Sequence, residues 1–225
     1  MSAHRMSIAG VEASLRPSGA LWVEKARALV VADLHLEKGS AYAQRGQMLP
    51  PFDTRETLSR LTAEVEACDP AIVVLLGDTL HDRKAEARIS AEDAEQVAAI
   101  ARGRTLLWIV GNHDADGPSK LPGETVDEIN LYGLAFRHEP RDGADHAWAA
   151  GHLHPCARVA GRGGSVRRRC FVTDGERIVL PAFGAYAGGL NVRDQAFAGL
   201  FARAPIAVAL GARSYAVSWN KLRGD

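Results

Sequence analysis

The chain has 225 residues, 47% of them hydrophobic, which suits one domain with a substantial core and excludes wholesale disorder. Its 27 basic side chains are balanced by 27 acidic ones, so no global field draws it to nucleic acid or to a membrane. Three irregularly spaced cysteines, Cys68, Cys156 and Cys170, exclude a disulfide scaffold and suit a reducing compartment; with no long apolar span and no signal-type start, a soluble cytoplasmic protein is expected. The cations are 22 Arg against 5 Lys, a skew that fits bidentate contact with phosphate or carboxylate but follows equally from genome composition.

In chain order, Ser7 to Val23 reads as two short strands around a turn at Arg16-Pro17-Ser18-Gly19. The apolar run Ala28 to Ala32 predicts a buried strand with Asp33 and His35 at its C-terminal end, where ligands collect in an open α/β sheet. A loop or short helix over Glu37 to Arg45 follows. Asp53, with Glu56 three residues on, resembles a capping box and opens a helix carrying Leu58, Leu61 and Val65 inward; Arg55, Arg60, Glu64 and Glu66 form its solvated face. Ala71 to Leu76 is the second buried strand, ended by Gly77-Asp78. A helix over Ala91 to Ala101, capped by Ser90, leads to the third strand, Thr105 to Val110, ended by Gly111-Asn112-His113-Asp114. Strand, polar tip and helix alternate, which is the α/β rhythm.

After Gly117 the chain becomes strand-rich. Leu131 to Phe136 precedes His138, and His146 to Ala150 precedes Gly151-His152-Leu153-His154. Further short strands follow at Cys170 to Val172, Ile178 to Leu180, Ile206 to Leu210 and Tyr215 to Trp219, with one more helix around Asp194 to Phe201. This predicts a second sheet packed on the first, and no repeat or linker divides residues 1–225. Arg158, Arg162, Arg167-Arg168-Arg169 and Arg177 follow the last histidine pair. They read either as a grip on a nucleic-acid backbone or as a solvated hairpin built on Gly161, Gly163 and Gly164.

Six of the eight histidines (His35, His81, His113, His138, His152, His154) stand at or just beyond strand exits, together with Asp33, Asp78 and Asn112. Asp-x-His at such an exit can present two ligands to one ion, a carboxylate such as Asp78 can bridge two, and Asn112 adds a neutral oxygen. A mixed oxygen and nitrogen set suits Mn, Fe or Zn better than Mg or Ca. Cys156, two residues past His154, reads more simply as a buried thiol than as a ligand.

Asp33-x-His35, Gly77-Asp78, Gly111-Asn112-His113-Asp114, His138 and Gly151-His152-x-His154 resemble, in order, the five motifs of the calcineurin-like metallophosphoesterases. Asp33 to Ser40, Leu49 to Thr54, Gly77 to Asp82 and Leu180 to Tyr186 further resemble one branch, the bacterial ligase-associated DNA damage response endonucleases. The resemblance implies an α/β (α+β) four-layer sandwich of two facing mixed sheets flanked by helices. It also implies two divalent ions, most simply Mn2+ with Fe or Zn as alternatives. One ion is held by Asp33, His35, Asp78 and His154; the other by Asp78, Asn112, His138 and His152. Many members carry Asp-Arg three and four residues after the Gly-Asp aspartate. Here His81 stands at the corresponding position, and is read either as a contact to phosphate or leaving group or as a partner of a ligand.

The expected activity is a DNA phosphodiesterase or endonuclease in DNA repair, acting on single-stranded regions or 3′ ends. A metal-activated hydroxide attacks phosphorus, and His113, which cannot easily ligate beside Asn112, acts as general acid. Asp114 or Asp82 orients an imidazole. Family context adds an ATP-dependent DNA ligase, a helicase and an exonuclease-like protein as functional associates, and no membrane. Two other readings use the same residues: a phosphomonoesterase or nucleotide pyrophosphohydrolase on small substrates, and a metal-bearing scaffold that docks a ligase or helicase.

Overall fold

A computed structural model describes residues 2–142, 146–161 and 164–225. Seven strands form the first sheet in chain order: β1 (His4–Ile8), β2 (Val11–Leu15), β3 (Leu21–Val23), β4 (Ala28–Ala32), β5 (Ile72–Leu76), β6 (Thr105–Ile109) and β7 (Glu124–Val126). The pairs from β1 to β4 are antiparallel, and those from β4 to β7 are parallel. The region before β4 holds three strands rather than the expected two, because Ala9-Gly10, both at positive φ, make a tight turn inside it.

Side-chain alternation in β4, β5 and β6 assigns the two faces of this sheet. Leu29, Val31, Val73, Leu75, Leu106 and Trp108 pack with Leu58, Leu61 and Val65 of helix α2 (Asp53–Cys68, after the short α1, Lys38–Gln44) and with Val97 and Ile100 of α3 (Ala91–Ala101). Val30, Ala32, Val74, Leu76, Leu107 and Ile109 face the other way, onto Phe136, Ala149, Phe171, Ile178 and Val208. Those partners belong to the second sheet: β8 (Glu128–Leu131), β9 (Leu134–Arg137), β10 (Trp148–Ala150), β11 (Pro155–Gly161), β12 (Gly164–Thr173), β13 (Ile178–Val179), β14 (Leu190–Asn191), β15 (Ile206–Ala209), β16 (Tyr215–Ser218) and β17 (Leu222–Arg223). This sheet is also mixed, with β10 parallel to both β9 and β13. The architecture is therefore two facing mixed sheets, as the motifs imply.

Two local expectations are corrected. Asp53 does not cap α2: Phe52 is the cap residue, and the buried Asp53 carboxylate accepts the Gly39 N–H at 2.9 Å, tying α2 to α1. The helix expected over Asp194 to Phe201 is one 3-10 turn, Gln195–Phe197, because Gly199 sits at φ +79° and breaks any continuation. Phe197 and Leu200 still bury their side chains on Trp148 and Val179, covering the outer face of the second sheet.

Candidate metal centre

The C-terminal tips of β4, β5 and β6 and the exits of β9 and β10 open onto one place. Backbone pairing continues past the strands there: His35 N–H donates to the Asp78 carbonyl at 3.0 Å, and Leu36 N–H to that of Thr79 at 2.8 Å. Five of the seven candidate ligands lie in the left-handed region: Asp33 (φ 53°), His35 (46°), Asp78 (45°), His152 (69°) and His154 (47°). That conformation is costly for non-glycine residues and concentrates at functional sites.

Two groups of donor atoms converge. In the first, His154 Nε2 is 3.3 Å from Asp33 Oδ1 and 3.3 Å from His35 Nε2. In the second, His138 Nε2 is 2.9 Å from Asn112 Oδ1, 3.2 Å from His152 Nδ1 and 3.5 Å from Asp78 Oδ1. His138 Nδ1 lies 3.9 Å from Asp33 Oδ1, which links the two groups. A ring nitrogen carries at most one proton, so His138 Nε2 cannot satisfy three neighbours at once. A cation placed among them can. Burial, then the neighbouring His154, His113, Lys38 and His81, hold the His35 pKa down to about 2, so its ring is neutral and its lone pair available at neutral pH. The donor set therefore fits divalent metal ions. Cys156 is buried and belongs to neither group.

The carboxylates are held from the backbone. Both oxygens of the fully buried Asp33 accept the His152 N–H, at 2.9 and 3.1 Å, and Asp78 Oδ1 accepts the His113 N–H at 2.9 Å. Asp114 is also buried, and among the described residues its carboxylate bonds to backbone amides and to no imidazole. Its oxygens accept the backbone N–H groups of Gly111 (2.9 Å), Thr79 (2.8 Å) and Leu80 (2.9 Å), so it clamps the β5 exit to the β6 exit. Asp82 is likewise taken, by Arg88 at 2.8 Å. Arg88 was not singled out in the sequence; it also donates to Ser40 Oγ at 2.9 Å and so ties the loop carrying His81 to α1. Nothing in the sequence marks a pair with this geometry.

His81 and His113 stand beside the first group, with ring centroids 5.7 and 5.1 Å from that of His35. His113 Nδ1 lies 2.6 Å from the His81 carbonyl oxygen. A carbonyl only accepts, so Nδ1 carries the proton and Nε2 is left facing the site, 3.9 Å from Asp78 Oδ2. His81 Nδ1 is buried without a partner among the described residues, and burial, followed by His113 and Lys38, lowers its pKa.

The Arg-rich stretch forms the β11–β12 hairpin; Arg162 and Gly163 of that stretch lie outside the described residues. No helix among the described residues is long and apolar enough to cross a membrane.

Comparison with known proteins follows the same lines. Residues 26–148 match the family of calcineurin-like phosphoesterases. Among solved structures, Pseudomonas putida nuclease MPE is 29% identical over 96% of this chain and 100% of its own, with a TM-score of 0.73. Two align more loosely, each at 16% identity. Yfce, a phosphoesterase from E. coli, covers 72% of this chain and 82% of its own (TM-score 0.40), and AQ665, a protein of unknown function from Aquifex aeolicus, covers 61% and 81% (TM-score 0.39). No curated protein matches.

Proposed function

The chain belongs to the calcineurin-like phosphoesterase family, and from that premise we propose that it is a two-metal phosphodiesterase that cuts DNA. The observation that carries this reading is the convergence of carboxylate, amide and imidazole donors in two adjoining groups at one end of both sheets. The likeness to a nuclease over its full length supports nucleic acid as the substrate class, and the choice of DNA rests on the motif resemblance. The same reading takes residues 1–225 as one catalytic unit acting in DNA repair, with a ligase, a helicase and an exonuclease-like protein handling the ends it leaves. That part is supported by the motif resemblance alone.

In this reading Asp33, His35, Asp78 and His154 would hold one ion, and Asp78, Asn112, His138 and His152 would hold the other. When bound, a pair of divalent ions, most simply Mn2+, supplies Lewis-acid activation of water and neutralises phosphoryl charge. His113, as the imidazolium with protons on both nitrogens, gives its Nε2 proton to the leaving alkoxide, while the bond from Nδ1–H to the His81 carbonyl fixes the ring. His81, neutral through burial, offers its ring to a phosphoryl oxygen. Asp114 acts as a positioning residue, holding the loops of Asp78 and Asn112 in register.

The test is cleavage of labelled single-stranded DNA by the purified protein with Mn2+, run beside Asp78→Ala. Metal-dependent cutting that the variant loses is expected. Hydrolysis of an aryl phosphate ester without any cutting of DNA would move the substrate to small monoesters or nucleotide pyrophosphates. Metal binding with no hydrolysis of either would leave only the scaffold reading.

A further inference from the structure

We infer that Arg167, Arg168 and Arg169, backed by Arg60, form a cleft that holds a backbone phosphate of a DNA strand bound at the metal centre. The inference rests on the DNA reading above and deepens it. The three arginines of β12, with Pro17, Leu210 and Gly211, line a surface cleft of about 440 Å³. Their sequence neighbours Arg158 and Arg177 do not belong to it. Arg177 is buried and donates to the Leu200 carbonyl at 2.7 Å, and Arg158 donates to Ser165 Oγ at 2.8 Å and to the Gly224 carbonyl at 3.4 Å.

Arg60 reaches the same neighbourhood from α2, where sequence placed it on a solvated face. Its guanidinium lies over the Phe183 ring, 5.3 Å from the centroid, and its Nε and Nη2 are buried with no hydrogen-bond partner among the described residues. The nearest acid, Glu56, stands 3.6 Å from Nε and is mostly exposed. Burial, then the charge of Arg169, holds the Arg60 pKa below the usual guanidinium value. Two cations are thus kept close, one of them with two buried nitrogens unpaired among the described residues. An anion in the cleft offsets the repulsion between these cations, and a phosphate matches the planar fork of an exposed guanidinium.

The cleft is joined to the metal centre through the backbone. Arg169 Nη1 donates to the Ala182 carbonyl at 2.7 Å; Ala182 bridges to Ala32, and Asp33 is the next residue. Phe183, under Arg60, donates its N–H to the Ala32 carbonyl at 2.8 Å. The cleft therefore adjoins the strand exit that carries Asp33, and a DNA strand bound at the centre continues onto it. Arg167 spends one nitrogen on the Gly189 carbonyl (2.6 Å) and lies 3.6 Å from Asp225; the Arg168 side chain has no hydrogen-bond or ion-pair partner among the described residues.

The experiment is fluorescence anisotropy of a short labelled oligothymidylate on full-length protein in chelator, across a salt series, for wild type, Arg60→Gln and Arg168→Gln. Arg55→Gln, on the exposed face of α2, serves as control. Each cleft substitution is expected to weaken binding about tenfold and to flatten the slope of log affinity against log salt by roughly 0.7, with the control unchanged. Arg168 packs against little, so its variant reports binding even if Arg60→Gln loosens α2. Unchanged affinity and slope in both variants, or no binding by wild type, overturns the cleft. Cutting by wild type with Mn2+ alongside unchanged slopes overturns the cleft and keeps the nuclease. Cleft-dependent binding without any cutting does the reverse.

Discussion

With Nδ1–H of His113 committed to the His81 carbonyl, Nε2 is the ring atom left to meet a substrate. His113→Ala should therefore keep its metal and lose about 10²–10⁴-fold in turnover on DNA, whose alkoxide leaving group needs a proton. On an aryl ester with a good leaving group the loss should be far smaller. Equal losses on both substrates, measured as kcat, would rule out the acid role. Glycine matters at this scale too. A Cβ at Gly77, which sits at φ +72°, would lie 2.1 Å from His138 Nδ1. Gly77→Ala should push that imidazole away and lower metal content, read by elemental analysis of the purified variant; full metal occupancy would contradict the packing argument. The sequence shows Gly77-Asp78 as a motif but not this reason for it, since His138 is 61 residues away. Asp114 marks the same limit: its neighbourhood suggested an imidazole partner, and its actual partners are three backbone amides, which carry no sequence signature.

Elements were legible where burial alone decides them. β4, β5 and β6 are apolar runs because central parallel strands are covered on both faces, and each ends where its polar ligands begin. α3 was legible from Ser90, whose hydroxyl accepts the Asp93 N–H at 3.1 Å. The segment after Asp194 misled because Phe197, Leu200 and Phe201 have helical spacing; their burial is satisfied without a helix, and Gly199 forbids one. Arg60 misled because a charge on an amphipathic helix normally faces water, whereas here its guanidinium lies over the Phe183 ring, 123 residues further along the chain. Glu86 is a connection of this kind, holding the turn Glu86–Arg88 against the loop after β6. Burial opposes its ionisation, yet the Ser119 hydroxyl and the backbone amides of Ser119, Lys120 and Leu121 pull its pKa from 4.5 down to about 2. A depressed carboxylate stabilises the fold above its unfolded pKa and loses that contribution as pH falls through the folded one. The melting temperature of Glu86→Gln should therefore lie below that of wild type near neutral pH, with the gap closing between pH 4.5 and about 2. A gap constant with pH would mean that the carboxylate charge is not what holds the loop.

At the scale of the whole molecule, the candidate centre draws ligands from both sheets. Asp33, His35, Asp78 and Asn112 follow strands of the first; His138, His152 and His154 follow strands of the second. The sheets otherwise meet through apolar side chains, which are insensitive to divalent ions. At the polar end, buried carboxylates and imidazoles crowd together, and an ion held by the proposed ligands would join the two layers there. Binding to the folded state alone adds about 2.7 kcal/mol at a hundredfold excess over Kd. For a chain of this size that corresponds to a rise of roughly 5–10 °C in Tm. Calorimetry in Mn2+ against chelator should show such a rise in wild type, and Asp78→Asn, which weakens a ligand without opening a cavity, should lose most of it. His138→Ala should also lose it, although His138 and Asp33 stand on different sheets. If instead Asp33→Asn abolished the shift while His138→Ala kept it, the ion would be held by the first sheet alone, and the centre would not act as a clasp between the layers.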